Sequence, residues 1–179
     1  MKRYARALGV DDGFFTRKQE KVQIFGVLMR GSVVEAALVR EVYVDGTDAT
    51  SAVLSMLESR VGRQARVLFL NGAAVAGTNV IDPDDIPIPV VSIVRRRPTE
   101  KFYEALLRSP HGREKVRIAK KYNWQRIVTP RGTLWVASTL PEAIKYVMYY
   151  QINSVVPEPL RLAHIFATAA TLGESRGHA

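Results

Sequence analysis

The sequence predicts an α/β fold: a mixed sheet of three antiparallel strands followed by parallel strands, with helices on both faces. Three observations carry this. Two long apolar stretches, 21–31 (KVQIFGVLMRG) and 32–44 (SVVEAALVREVYV), meet at Arg30-Gly31-Ser32, a combination suited to a tight hairpin. Two short β-rich runs, 65–70 (ARVLFL) and 88–94 (IPVVSIV), have the near-continuous apolar character of central parallel strands. Between and after these runs the spacing of apolar residues turns helical.

The elements follow in order. Residues 4–10 (YARALGV) read as a first strand that stops at Asp11-Asp12-Gly13. The hairpin of 21–31 and 32–44 comes next and ends at Asp45-Gly46, a turn dipeptide. Asp48 then reads as a helix N-cap, because Ala49, Val53, Met56 and Leu57 share one face of 49–61. The strand 65–70 stops at Asn71-Gly72, and "DPDD" (82–85) has the chemistry to cap a short helical turn before the strand 88–94. Helices are expected over 99–109 and 112–122. A hairpin is expected over 124–138, turning at Pro130-Arg131-Gly132. Pro141 suits the first turn of a helix reaching Ile152, and Gly173 ends a last helix over 157–173. A right-handed crossover puts 65–70 beside the first strand. This is the ribonuclease H-like plan, in which carboxylates at the ends of the first and fourth strands meet on one edge.

At 179 residues the chain reads as one domain, 1–179, with a polar tail at 174–179. It has no cysteine, which excludes disulfides and thiolate metal sites. No apolar run is long enough to cross a bilayer and the N-terminus leads to no signal-like region, so the chain is expected in the cytoplasm. The net charge is +9, and 18 of the 26 basic residues are arginine. Guanidinium binds phosphate in a bidentate fashion, so a polyanionic partner is expected: DNA, or RNA. A generally charged surface is the competing reading.

Acids gather at strand and loop ends: Asp11 and Asp12, Asp45 and Asp48, and Asp82. Such oxygen donors suit Mg²⁺ or Mn²⁺, and a metal pair can serve phosphodiester hydrolysis. Each acid also has a structural explanation as turn or cap. Arg95, Arg96 and Arg97 follow a strand directly and are candidate phosphate contacts, as are Lys120 and Lys121 on the basic helix. Arg126 and Arg131 stand beside Trp124 and Trp135, a pairing that can stack a base or simply pack. His111, His164 and His178 lie near no plausible serine or acid partner for catalysis, and His164 reads as an ordinary half-buried helix residue.

Several stretches together, "LGVDDGFF" (8–15), "VYVDGTDAT" (42–50), "LNGAAVAGTNVID" (70–82), "VPEPLRLAHIFATAA" (156–170) and "GESRGHA" (173–179), resemble the archaeal endonuclease dU family, which is considered similar to endonuclease V. The resemblance implies a Mg²⁺- or Mn²⁺-dependent nuclease acting on DNA with deaminated bases such as uracil. "GVD" is similar to the first-strand Gly-Val-Asp of endonuclease V, which makes Asp11 the implied metal ligand. Asp48 falls near that enzyme's second acidic position. "PEPLRLAH" is similar to its Pro-Glu-Pro-Thr-Arg-x-Ala-Asp helix start, and Arg161 within it joins the candidate nucleic-acid contacts. "LNGAAVAG" falls where endonuclease V has Asp-Gly-x-Gly, so Asn71 stands at an implied aspartate position. Ser138-Thr139 stand where that enzyme has Gly-His. An asparagine carbonyl can still ligate Mg²⁺, but without the charge, so Asn71 implies weaker metal affinity. Asp82 would supply the missing charge if its loop folds back. A catalytically silent nucleic-acid-binding module and a scaffold protein remain the alternatives.

Overall fold

A computed structural model of the chain describes residues 5–175. Its nine strands are β1 (Arg6–Asp12), β2 (Lys21–Arg30), β3 (Val33–Tyr43), β4 (Val67–Asn71), β5 (Ala74–Val75), β6 (Asn79–Val80), β7 (Val90–Val94), β8 (Gln125–Thr129) and β9 (Gly132–Ser138). Five α-helices accompany them: α1 (Ala49–Glu58), α2 (Glu100–Arg108), α3 (Gly112–Ala119), α4 (Ala143–Tyr150) and α5 (Glu158–Leu172).

Seven strands form one sheet in the order β3-β2-β1-β4-β7-β9-β8. The first three are antiparallel neighbours, and β4 and β7 continue parallel to β1. The hairpin β8–β9 closes the sheet, with β9 antiparallel to β7. The ribonuclease H-like order expected from the sequence is therefore present.

Side-chain alternation along β1 divides the core in two. Leu8 and Val10 point to α1, joining Ile24, Val53, Met56 and Leu70. Ala7 faces the other way and joins Val27, Phe69, Val147, Leu160 and Ala163 beneath α4 and α5. Gly9 shares that second face and lets α5 come down on the strand: a Cβ there would lie 2.2 Å from the Pro159 carbonyl carbon. This close approach brings the start of α5 to the C-terminal end of β1.

Three elements depart from expectation. The segment 74–80 forms a small hairpin, β5–β6, whose turn holds Ala76 and Gly77 at positive φ. Residues 82–85 make a turn rather than a helix: the Asp82 carboxylate accepts the Asp84 N–H. Asp48 stands at the N-cap position of α1 without capping it, and the Asn79 carbonyl oxygen accepts the Ala49 N–H instead. The tail beyond residue 175, with His178, and Tyr4 lie outside the described residues.

Candidate functional site

The parallel strands β1, β4 and β7 end at the same edge, and a cleft opens there. It has a volume of about 190 Å³ and is lined by Asp11, Asn71, Ile93, Val94, Arg95, Val156 and Leu160. The floor is apolar; Arg95 comes from just beyond β7, and Asp11 and Asn71 come from two strand ends. Register places them together, because Val10 pairs with Leu70, one residue before each.

Asp11 is the centre of this cleft and is 3% exposed. Its carboxylate accepts from three directions. The Asp12 backbone N–H donates to Oδ1 at 3.0 Å. The Asn71 amide NH₂ lies 3.3 Å from Oδ1 and 3.2 Å from Oδ2. His164 Nδ1 of α5 lies 3.0 Å from Oδ2. Since a carboxylate accepts, this contact places the imidazole hydrogen on Nδ1. Two carboxylates so placed would repel unless a cation sat between them. Asn71 satisfies Asp11 by hydrogen bonding instead.

His164 is the site residue that sequence reasoning passed over. It lies 153 positions from Asp11 in the chain, and only α5 packing against β1 joins them. The available signal was its place at the end of "PEPLRLAH".

Asp12 points to the opposite face of β1 and accepts the Ala76 N–H in the β5–β6 turn. Burial, and then the neighbouring Asp11 charge, push its carboxyl from 3.8 up to about 6. The other acids hold the same hairpin. Asp45 accepts from the backbone N–H and the hydroxyl of Thr78, at 2.8 and 2.9 Å. Asp48 accepts from Asn79 Nδ2 at 2.7 Å and from the Tyr43 N–H at 3.2 Å. Lys115 is buried and donates to the Asp45 carbonyl at 2.6 Å, with Thr78 and Ser109 hydroxyls each at 3.2 Å. Its removal from water holds its pKa below the usual lysine value, against the pull of Asp45.

The structure thus brings Asp11 and Asn71 together. The hydrogen bonds of Asp48 run to Tyr43 and Asn79 and not to that pair. Asp82 is held by Lys121, whose Nζ lies 2.7 Å from both its oxygens and 2.8 Å from Asp84. Arg95, Arg96 and Arg97 are exposed, Arg95 at the cleft itself. Lys120 is exposed at the end of α3. Arg161 grips the Glu158 carboxylate through Nη2 and Nε, at 2.6 and 2.9 Å. Ser138 and Thr139 clasp the backbone of Val90 at the start of β7.

Among the described residues no group of three or more His, Asp or Glu side chains is placed to hold a metal ion. The donor set does fit a hard cation that takes one or two protein oxygens together with a substrate phosphate, as Mg²⁺ commonly does. The Asp11 carboxylate is one such donor. The other would be Asn71 Oδ1, were the amide turned over from the orientation in which its NH₂ faces Asp11.

A family model described as "Endonuclease dU" matches residues 3–171. A protein of Methanosarcina mazei named "UPF0215 protein" is 37% identical, over 97% of this chain and 94% of that protein. One of Pyrococcus horikoshii with the same family designation is 33% identical, over 98% of this chain and 97% of its own. A crystal structure of a protein of unknown function from Archaeoglobus fulgidus superposes with a TM-score of 0.81 at 30% identity, covering 93% of this chain and 98% of that one. The catalytic domain of human endonuclease V superposes with a TM-score of 0.58 at 16% identity, covering 96% and 85%. Ciona intestinalis endonuclease V, in complex with a 24mer DNA containing an inosine followed by a ribo-adenosine, gives 0.57 at 12%, covering 91% and 84%. The last two share the fold with this chain. Among the described residues no helix is long and apolar enough to cross a membrane.

Proposed function

The chain belongs to the endonuclease dU family, and from that premise we propose that it acts on DNA as a Mg²⁺- or Mn²⁺-dependent endonuclease selecting deaminated bases such as uracil. The observation that carries this reading is the buried Asp11 carboxylate at the β1 edge, facing Asn71 and His164 in a cleft with Arg95 at its wall. Asp11 and Asn71 Oδ1 are the residues that would hold the cation. Bound there with a phosphate, it would supply charge stabilisation and an activated water.

The chain's own residues do the rest. His164 is a positioning residue: its Nδ1–H holds one oxygen of Asp11 in the cleft. Arg95, Arg96 and Arg97 follow β7 at the same edge, where guanidinium groups hold phosphate oxygens in register without reading sequence. The apolar floor of Ile93, Val156 and Leu160 limits water around Asp11, which strengthens charge interactions there. Asp48 and Asp82 take structural parts in this reading, as anchors of the β5–β6 hairpin and of the loop after it.

One observation favours a second reading, a catalytically silent nucleic-acid-binding module. Asn71 already satisfies both oxygens of Asp11, so the pair is complete without a cation. A nicking assay on plasmid DNA with and without uracil, in Mg²⁺ or Mn²⁺, separates the two. The proposed enzyme nicks uracil-containing DNA, and Asp11→Ala does not. If wild type binds DNA without nicking it while Asn71→Asp nicks, the silent reading holds. If neither nicks, the enzyme reading fails.

A further inference from the structure

We propose that the open face of the β8–β9 hairpin is a stacking platform for unpaired nucleic acid, continuing the path of a strand that leaves the Asp11 cleft. The inference rests on the nucleic-acid-acting reading above and assigns it a second surface, centred on Trp135.

Cross-strand register builds the platform. Val94 of β7, Trp135 of β9 and Arg126 of β8 are direct partners, so their side chains stand in one row on one face. Val128 and Thr133 form the next row, and Val128 is 65% exposed. The Arg97 guanidinium lies over the Trp135 ring at 5.5 Å. Trp135 is half-buried, whereas Trp124 is packed in the core against Tyr122. Of the two tryptophans only Trp135 therefore offers ring surface to a ligand. Val94 ties the two places together, since it lines the Asp11 cleft and also packs with Trp135.

Charge identifies the occupant. No Asp or Glu occurs from Ile86 to Thr99, which contains Arg95, Arg96 and Arg97. None occurs from Lys115 to Pro141, a stretch with six Lys and Arg. The strands β7, β9 and β8 and their flanks are thus free of acids, while the acids of β1, β3 and the loops beside them sit on the other half of the sheet. A polyanion fits this half, and a base fits it better than a bare phosphate chain. The Arg97–Trp135 pair and the exposed Val128 offer a flat cationic and apolar surface, on which any base stacks. In a duplex those base faces are covered, so an unpaired stretch is the chemistry selected.

Fluorescence anisotropy of a labelled oligothymidylate of about 20 nucleotides, against a duplex of equal length, tests this. Wild type should bind the single strand more tightly than the duplex. Trp135→Leu should weaken single-strand binding about tenfold, and Arg126→Ser and Arg97→Ser severalfold, each with a shallower salt dependence for the arginine variants. The two arginines are exposed, so their variants keep the test valid if Trp135→Leu unfolds, which circular dichroism reads. If all three variants bind the single strand as wild type does, or lose single strand and duplex equally, the platform is overturned while uracil-dependent nicking through Asp11 is untouched. If wild type binds neither nucleic acid and captures an acidic protein instead, both readings fall.

Discussion

The two halves of the sheet handle charge in opposite ways. On the half built from β1 to β4 and α1, the aspartates are matched: Asp45 and Asp48 to Thr78 and Asn79, Asp12 to Ala76, and Asp11 to Asn71 and His164. Lys115, reaching in from α3, is buried against Asp45 and Thr78. On the half built from β7, β9 and β8, the cations face outward and acids are absent from the strands. One half holds its aspartates in a hydrogen-bonded interior, and the other presents its arginines at the surface. The Asp11 cleft lies on the seam, where the last acid of the first half meets the first arginine of the second.

Breaking the seam should have the largest effect. Gly9→Ala forces a methyl group into the Pro159 and Leu160 backbone, which no rotamer change can relieve. It should cost about 3 kcal/mol or more in urea denaturation, and it should move His164 away from Asp11. Next comes the interior of the acidic half. Lys115→Met leaves the Asp45 carbonyl and the Thr78 hydroxyl without their donor, an expected loss of about 2 kcal/mol by the same measurement. Asn71→Asp replaces a hydrogen bond by a facing carboxylate. In EDTA the variant should be less stable than wild type by about 1 kcal/mol, and Mn²⁺ should raise its melting temperature more than that of wild type.

The smallest effect is a pair of opposed pH dependences. The Arg161 guanidinium holds the Glu158 carboxyl below its usual value of 4.5, with Asn153 assisting against the effect of burial. That stability is present above about pH 4.5 and is lost as pH falls through the lower folded value. Asp12 has the reverse sign. Its carboxyl is pushed up to about 6, so the folded state binds more protons than the unfolded one between 3.8 and about 6. Its contribution therefore grows as pH falls through that window. Glu158→Gln should remove the acid-side loss and Asp12→Asn the mild gain, both readable in denaturation midpoints between about pH 3 and 7.

The sheet was legible because its signals are local. Apolar runs such as 67–70, the turn at Gly31 and the stop at Gly173 each follow from side-chain and backbone chemistry within a few residues. Asp11 and Asn71 could be placed at one edge because strand order alone brings strand ends together. His164 could not, since its role depends on how closely α5 approaches Gly9. Nor could the fate of Asp48 be seen. The β5–β6 hairpin that binds it has strands of two residues, too short for a period of two to register. Asp82 would have supplied charge to the cleft only if its loop folded back, and Lys121 and the Asp84 N–H hold it in its own loop.

The most direct measurement is the divalent-ion dependence of nicking on uracil-containing DNA, compared across wild type, Asn71→Asp and Asp11→Ala. With Asp11 and Asn71 as the cation-facing pair, Asn71→Asp should reach half-maximal nicking at a lower Mn²⁺ concentration than wild type, and Asp11→Ala should not nick. Nicking by Asp11→Ala at the wild-type rate would contradict the assignment of this cleft.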